Sequence, residues 1–269
     1  MTTALHGSSP AEGSPVPPPT SSYWRFYDRV AAAQLAAWLP AEPCRVLDLS
    51  GRPAGGEGGF ADQVLAAGHD VVRVLEDPRH LTPTPGDALR DAVGVDAGGS
   101  ALPVTADPRR LSWLRSGSVD AVLAESRALS LCLAAEVTVG DLHRVLRPGG
   151  RLLLVVDSLA AGLARLAGQG RWAELADVPS ADVVLVPEDD GSVVRCFWPE
   201  ELGELLSTAG FALEWVRPRT VLAPPVVERA VEAGGEDALR LLVRTECALA
   251  EEREGEATGL RLVASAQRA

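Results

Sequence analysis

Apolar residues fall in short runs along this chain, and the spacing inside the runs alternates between two periods. Residues 45–50 (RVLDLS), 69–77 (HDVVRVLED), 102–106 (LPVTA) and 119–125 (VDAVLAE) are dense in Val, Leu and Ala, and each predicts a strand. Between them the apolar positions recur at helical spacing. A helix is expected over 21–39, capped by Ser21 or Ser22, and another near 60–67, ended by Gly68. The Pro- and Gly-rich stretch 78–100 allows one short helix, over 86–93. The segment 141–156, DLHRVLRPGGRLLLVV, joins the two periods most sharply. Leu142, Val145 and Leu146 share a helical face. Pro148 cannot continue the helix, and Gly149 and Gly150 allow a tight reversal. Residues 152–156 then run apolar without interruption, as a strand covered on both faces does.

Repeated strand–helix units with doubly buried strands predict an α/β fold built on a doubly wound, mostly parallel sheet. The pattern changes after residue 156. Residues 158–176 read as helical, and 182–186 and 192–198 flank EDDG as a hairpin. A helix over 199–211 has Pro at its start and Gly near its end. A strand at 212–217, a helix over 226–251 and a last strand at 259–268 complete the reading. The first 22 residues, rich in Pro, Ser, Gly and Thr, are expected to be a disordered tail rather than a signal peptide. Residues 23–269 are expected to form a single domain, with halves at about 45–156 and 157–269.

Composition narrows the chemistry. Lys, Asn and Ile are absent, which a GC-rich genome explains most simply. Without Lys there is no Schiff-base lysine and no Walker-type phosphate loop. The net charge is −12 and the 25 basic residues are scattered, so nucleic acid is not an expected partner. No apolar run is long enough to span a membrane, and a cytoplasmic location is expected. Cys44, Cys132, Cys196 and Cys247 are far apart and no His pair has ligand spacing, so no metal site is expected.

In a parallel sheet, ligands sit beyond the carboxyl ends of the strands. The candidate residues therefore lie there. The first strand ends in Asp48-Leu49-Ser50-Gly51 and is followed by RPAGGEGG, which contains Gly56 and Gly58. Glu76 and Asp77 end the second strand, Asp107 follows the third, and Glu125-Ser126 end the fourth. Each has an ordinary alternative. Asp48 can cap loop N–H groups, Glu76 and Asp77 can face solvent, Asp107 before Pro108 can cap a helix, and Glu125 can be a surface carboxylate. The cluster Tyr23, Trp24, Phe26 and Tyr27, four of twelve aromatics, can lid a pocket or simply dock its helix.

The order of these segments resembles the class I S-adenosylmethionine-dependent methyltransferases over roughly residues 23–217. The corner RVLRPGGRLLLVV, the strand VDAVLAE, the acid in VTADPRRL and the segment WPEELGELLSTAGFALEWV carry the likeness. The resemblance implies a Rossmann-like sheet of seven strands, with an N-terminal helix and a β-hairpin insertion after the fifth strand. It implies S-adenosylmethionine as cofactor and a small molecule as methyl acceptor, with a homodimer as the assembly allowed for. The implied cofactor residues are Asp48, Ser50, Gly51, Gly56, Gly58, Glu76, Asp107 and Glu125. Within it, Asp48 opens the glycine loop, Glu76 meets the ribose and Asp107 meets the adenine. Arg52 can pair with the cofactor carboxylate or stay solvated.

The chain departs from the family pattern in its loop. Ser50 stands where the family has its first glycine, the loop is about four residues longer, and Leu75 has the place of the ribose acid. The resemblance assigns no catalytic base, and His143 reads as structural. Two other functions stay open: a non-catalytic methyltransferase-like binding domain, and a nicotinamide-dependent oxidoreductase. The second rests on Gly56-Glu-Gly58-Gly-Phe-Ala61 with Glu76 twenty residues after Gly56, but those glycines come late for a dinucleotide turn.

Overall fold

The structure, a computed structural model, describes residues 21–51, 60–76, 99–125, 127–188 and 190–269. Residues 1–20 of the tail expected over 1–22, Arg52, Gly56, Gly58, Asp77, Ser126 and the helix expected at 86–93 lie outside these residues, whereas Ser21 and Ser22 belong to the start of α1. The elements are α1 (Ser22–Trp38), β1 (Arg45–Asp48), α2 (Phe60–Ala66), β2 (Asp70–Leu75), β3 (Ala101–Thr105), β4 (Val119–Ala124), α3 (Ala135–Val145) and β5 (Leu146–Ser158). There follow α4 (Leu159–Gly168), α5 (Trp172–Asp177), β6 (Val184–Pro187), β7 (Val193–Phe197), α6 (Pro199–Thr208), β8 (Phe211–Arg219), α7 (Pro224–Glu252) and β9 (Arg261–Arg268).

β3, β2, β1, β4 and β5 lie side by side and parallel, in that order. β9 pairs antiparallel with β5 from Arg151↔Gln267 to Asp157↔Arg261, and β8 pairs antiparallel with β9. These seven strands make the main sheet, as expected. The β6–β7 hairpin joins it only at the end of β5, through Asp157↔Cys196 and Ser158↔Phe197.

The alternation of side chains explains the unbroken apolar runs. Leu47, Val122, Leu152 and Leu154 point to one face, against Val139 and Leu142 of α3 and Leu202 and Leu206 of α6. Val46, Ala121, Leu123, Leu153 and Val155 point to the other, against Leu35 and Trp38 of α1 and Phe60 and Val64 of α2. Because both faces are covered, neither parity of these strands can be polar along its middle. Each fully buried Leu or Val contributes about 1.5–3 kcal/mol.

The Pro-Gly-Gly corner is an excursion from the sheet rather than a loop between separate elements. The β4–β5 register passes from Val119↔Leu146 to Ala121↔Arg151 across it. Gly149 has φ 76°, and a Cβ on Gly150 would lie 2.8–2.9 Å from the carbonyl oxygens of Arg147 and Asp120.

Three local expectations are corrected. Ser21 is at the N-cap of α1, but its side chain does not cap. The Glu228 carboxylate of α7 accepts from Ser22 N at 3.2 Å and Tyr23 N at 2.9 Å instead. The helical stretch 158–176 is two helices, separated where Gly170 takes φ 68°. The long C-terminal helix kinks at Gly235, whose φ is 58°. Tyr23, Phe26 and Val30 of α1 pack on Val227, Val231 and Leu239 of α7, so these aromatics dock the helix.

Gly150→Ala is expected to destabilise the fold by about 1–3 kcal/mol through that backbone clash. Gly140→Ala, exposed in the middle of α3 with open space around it, should stabilise by about 0.5–1 kcal/mol. Urea unfolding of both variants measures the contrast.

Candidate functional site

The carboxyl ends of β1, β2 and β4 carry ionisable side chains on one face, the face covered by α1 and α2. Asp48 and Arg73 are register partners on adjacent strands, and Asp48 is paired in register with Leu123, two residues before Glu125. Alternation therefore places Arg73, Asp48 and Glu125 on one face, in a row that steps diagonally from β2 to the end of β4. All three are buried.

Asp48 is fully buried. Its Oδ1 accepts from Ser50 N at 2.8 Å, while its Oδ2 has no partner among the described residues. Burial holds this carboxyl above the usual carboxylate range; the Ser50 hydrogen bonds and the Arg73 charge pull it down, and the Glu125 charge pushes it up. Ser50 is nearly buried, and its hydroxyl lies near enough to the Asp48 carboxyl to lower its pKa without a well-formed hydrogen bond to any described residue. Gly51 has φ 67°, a left-handed conformation that turns the chain away from β1.

Glu125 is not a surface carboxylate. It receives both arms of Arg219: Nη1 to Oε2 at 2.6 Å and Nη2 to Oε1 at 2.8 Å. The side chains are 0% and 1% exposed. Arg219 also donates from Nε to Gln34 Oε1 at 2.6 Å and reaches Tyr27 Oη at 3.4 Å. The pair thus ties β8, β4 and α1 together. Burial alone would lower the Arg219 pKa, but the adjoining Glu125 charge raises it on balance. Beyond Arg219 the chain turns at Thr220, whose φ of 60° is rare for a β-branched residue.

The other two candidate acids are exposed. Glu76 is the first residue past β2, and Leu75 before it is buried. Asp107 lies beyond β3 and is gripped by Arg109, whose Nε donates to Oδ1 at 2.8 Å and whose backbone N donates at 2.9 Å. That side-chain bond holds Asp107 below the usual carboxylate range. It also raises Arg109, toward which Glu76 adds its charge. So Glu76 and Asp107 are electrostatically linked through Arg109, apart from the buried row.

A second ionic cluster occupies the end of β5, beneath the hairpin. The Asp157 side chain, 1% exposed, faces Arg127 Nε at 2.8 Å, Arg261 Nε at 3.2 Å and Arg165 Nη2 at 3.5 Å. Glu188, at the hairpin, accepts from Arg127 Nη1 at 3.0 Å and also from Arg165. The Arg127 hydrogen bonds hold Glu188 below its usual range. Three cations and two carboxylates fasten the hairpin to β5 and β9.

His143 lies elsewhere. Its ring meets Phe211 edge-on at 5.2 Å, and burial lowers its pKa. Burial pushes the Cys44 thiol up to about 11 and Cys196 up to about 12, so neither is a ready nucleophile. Among the described residues, no group of three or more His, Cys, Asp or Glu is placed to hold a metal, and no helix is long and apolar enough to cross a membrane. One open cleft of about 750 Å³ lies at the opposite, amino ends of the strands, around Arg45, Asp70 and Asp120. It shares no residue with the buried row.

Arg73 and Arg219 are absent from the sequence-derived candidates. A signal for Arg73 was present: it is the one charge inside the apolar run VVRVL. Arg219 follows WVRP in a strand that also carries the half-buried Arg217, and nothing local separates the two.

No family model matches the sequence, and no curated protein aligns with it. Solved structures do match. A Burkholderia thailandensis 1,6-didemethyltoxoflavin-N1-methyltransferase, with its bound substrate and S-adenosylhomocysteine, aligns over 91% of this chain and 80% of its own, at 19% identity and TM-score 0.54. An S-adenosylmethionine-dependent methyltransferase from Mesorhizobium loti aligns over 89% and 98%, at 20% identity and TM-score 0.52. The [4+2]-cyclase SpnF aligns over 90% and 80%, at 18% identity and TM-score 0.50. The chain therefore has the Rossmann-like fold of these methyltransferases.

Glu125→Ala should cost about 3–5 kcal/mol, because it strands Arg219 in the interior, whereas Glu125→Leu with Arg219→Met should recover most of that loss in denaturant unfolding. Asp48→Asn carries a pH signature. Folded Asp48 keeps its proton to higher pH than the unfolded chain does, so ionisation above about pH 4 weighs against the native state. The variant is expected to melt with the parent in acid and above it at pH 8, the gap widening as pH rises.

Proposed function

We propose that this protein transfers a methyl group from S-adenosylmethionine to a small-molecule acceptor. The observation that carries the reading is a fold shared with methyltransferases, combined with polar groups at the carboxyl ends of β1, β2 and β3. The fit to the cofactor rests on Asp48 Oδ2 and Ser50 Oγ, which are buried and have no protein partner among the described residues. An ammonium or hydroxyl group would satisfy both. Asp48, Ser50 and Gly51 would hold the amino-acid end, with Gly56 and Gly58 in the following loop. Glu76 would meet the ribose and Asp107 the adenine. Glu125, already joined to Arg219, would act by holding the strand end rigid instead of touching the ligand.

The cofactor, when bound, supplies a methyl group activated by a sulfonium. The chain's part is then to align the acceptor with it and exclude water. The acceptor would lie over the strand ends, between α1 and the inserted segment 157–198. The half over 45–156 would hold the cofactor and the half over 157–269 the acceptor. We assign no general base. The partner is read as a small molecule, with neither nucleic acid nor membrane involved, in a cytoplasmic protein that is either monomeric or a homodimer.

One second reading has support. Ser50 and Leu75 depart from the family's usual residues, and the same fold is shared with a protein whose name is that of a [4+2]-cyclase. A chain that keeps the fold without methyl transfer would look like this. Calorimetric titration with S-adenosylhomocysteine tests the cofactor site on which methyl transfer depends, and a turnover assay with S-adenosylmethionine then separates the readings. Heat of binding is expected in the parent, and Asp107→Ala should weaken it about tenfold with no change in melting temperature. No heat and no thermal shift at millimolar ligand would sink methyl transfer.

A further inference from the structure

We propose that Arg73 is the anchor of a buried carboxylate-binding subsite at the carboxyl ends of β1 and β2. Arg73 is 7% exposed, yet its Nε and Nη2 have no hydrogen-bond partner among the described residues. It forms no ion pair with any described residue, although Asp48 is its register partner and is close enough to feel its charge. The basic side chain that meets this row from β8, Arg219, has its two terminal nitrogens on Glu125 and its Nε on Gln34. Arg73 is thus the unsatisfied member.

The identity of the free atoms specifies the ligand. Nε and Nη2 lie on the same edge of a guanidinium and present two parallel N–H groups. That edge matches the two oxygens of a carboxylate. Asp48 Oδ2 and Ser50 Oγ, the other orphaned atoms at these strand ends, are the neighbouring polar groups. Such a subsite is costly: a buried guanidinium with two unpartnered nitrogens lowers stability unless a ligand completes it. The subsite stands independently of methyl transfer. Assigning its carboxylate to the cofactor's amino-acid end rests on the reading above; the other source is an acidic acceptor.

The test uses the full chain and its Arg73→Gln and Arg73→Lys variants. Melting is followed alone and with sodium acetate, and binding by calorimetry with S-adenosylhomocysteine and with 5′-methylthioadenosine, which lacks the amino-acid carboxylate. Without ligand, Arg73→Gln is expected to melt at or above the parent. Its affinity for S-adenosylhomocysteine should fall about tenfold to a hundredfold, with 5′-methylthioadenosine changed less than about threefold. Arg73→Lys keeps the charge but not the two-pronged edge, and should fall between; it carries the comparison should the glutamine variant fail to fold. If S-adenosylhomocysteine binds parent and Arg73→Gln alike but stabilisation by acetate is lost, the subsite holds and its carboxylate is the acceptor's. If the parent ignores S-adenosylhomocysteine but acetate stabilises it through Arg73, methyl transfer fails and the subsite survives. Arg73→Gln melting below the parent, with every ligand response unchanged, would overturn the proposal.

Discussion

Burial of β1, β4 and β5 on both faces is the constraint from which the rest of the structure follows. A strand covered by helices on both sides has no solvent-facing parity, so its middle must be apolar. Ionisable residues are pushed to its ends, where they still meet low-dielectric surroundings. Asp48, Glu125 and Asp157 are the acids at the ends of these three strands, and each is essentially excluded from water. The protein answers each differently. Asp157 is over-supplied with guanidinium groups, Glu125 is matched one to one by Arg219, and Asp48 keeps an oxygen unfilled by any described residue.

Those differences divide the strand ends into regions of different rigidity. At β4 and β5, charge pairing is complete and crosses between elements far apart in the chain. Breaking one arm leaves a buried charge, so these contacts hold hairpin, sheet and α1 in one geometry. At β1 and β2 the pairing is incomplete. An incomplete polar set lowers stability unless something else completes it, and natural proteins tolerate that cost mainly where a ligand is to be held.

Much of this could be read from the sequence, because strand periodicity and the Pro-Gly-Gly corner are local. Residues 45–50, 119–125 and 152–156 had only to be short, apolar and punctuated, and the strands appear there with ends moved by one or two residues, except that β5 already starts at Leu146, before the corner. Asp48 was legible as the polar break at the end of its run. The cap of α1 was not, because Glu228 is 206 positions from Ser22 and only the docking of α7 brings it there. Glu125 was found, but its partner was hidden among scattered arginines that composition had rendered uninformative. Arg73 was visible as a lone charge in VVRVL, yet its meaning depends on which face of β2 it occupies and on its neighbour in register.

The place of β9 bears on how the molecule is made. The strand at the centre of the apolar sheet, β5, pairs along Arg151–Asp157 with residues 261–267, which leave the ribosome more than a hundred residues later. Until then the β5 edge carries Leu152 to Val156 with open backbone donors and acceptors, a template for pairing with another chain. The sheet therefore cannot close progressively from the amino end during translation, and its lock waits for residues 261–268. Chaperone demand in the cell should track that interval.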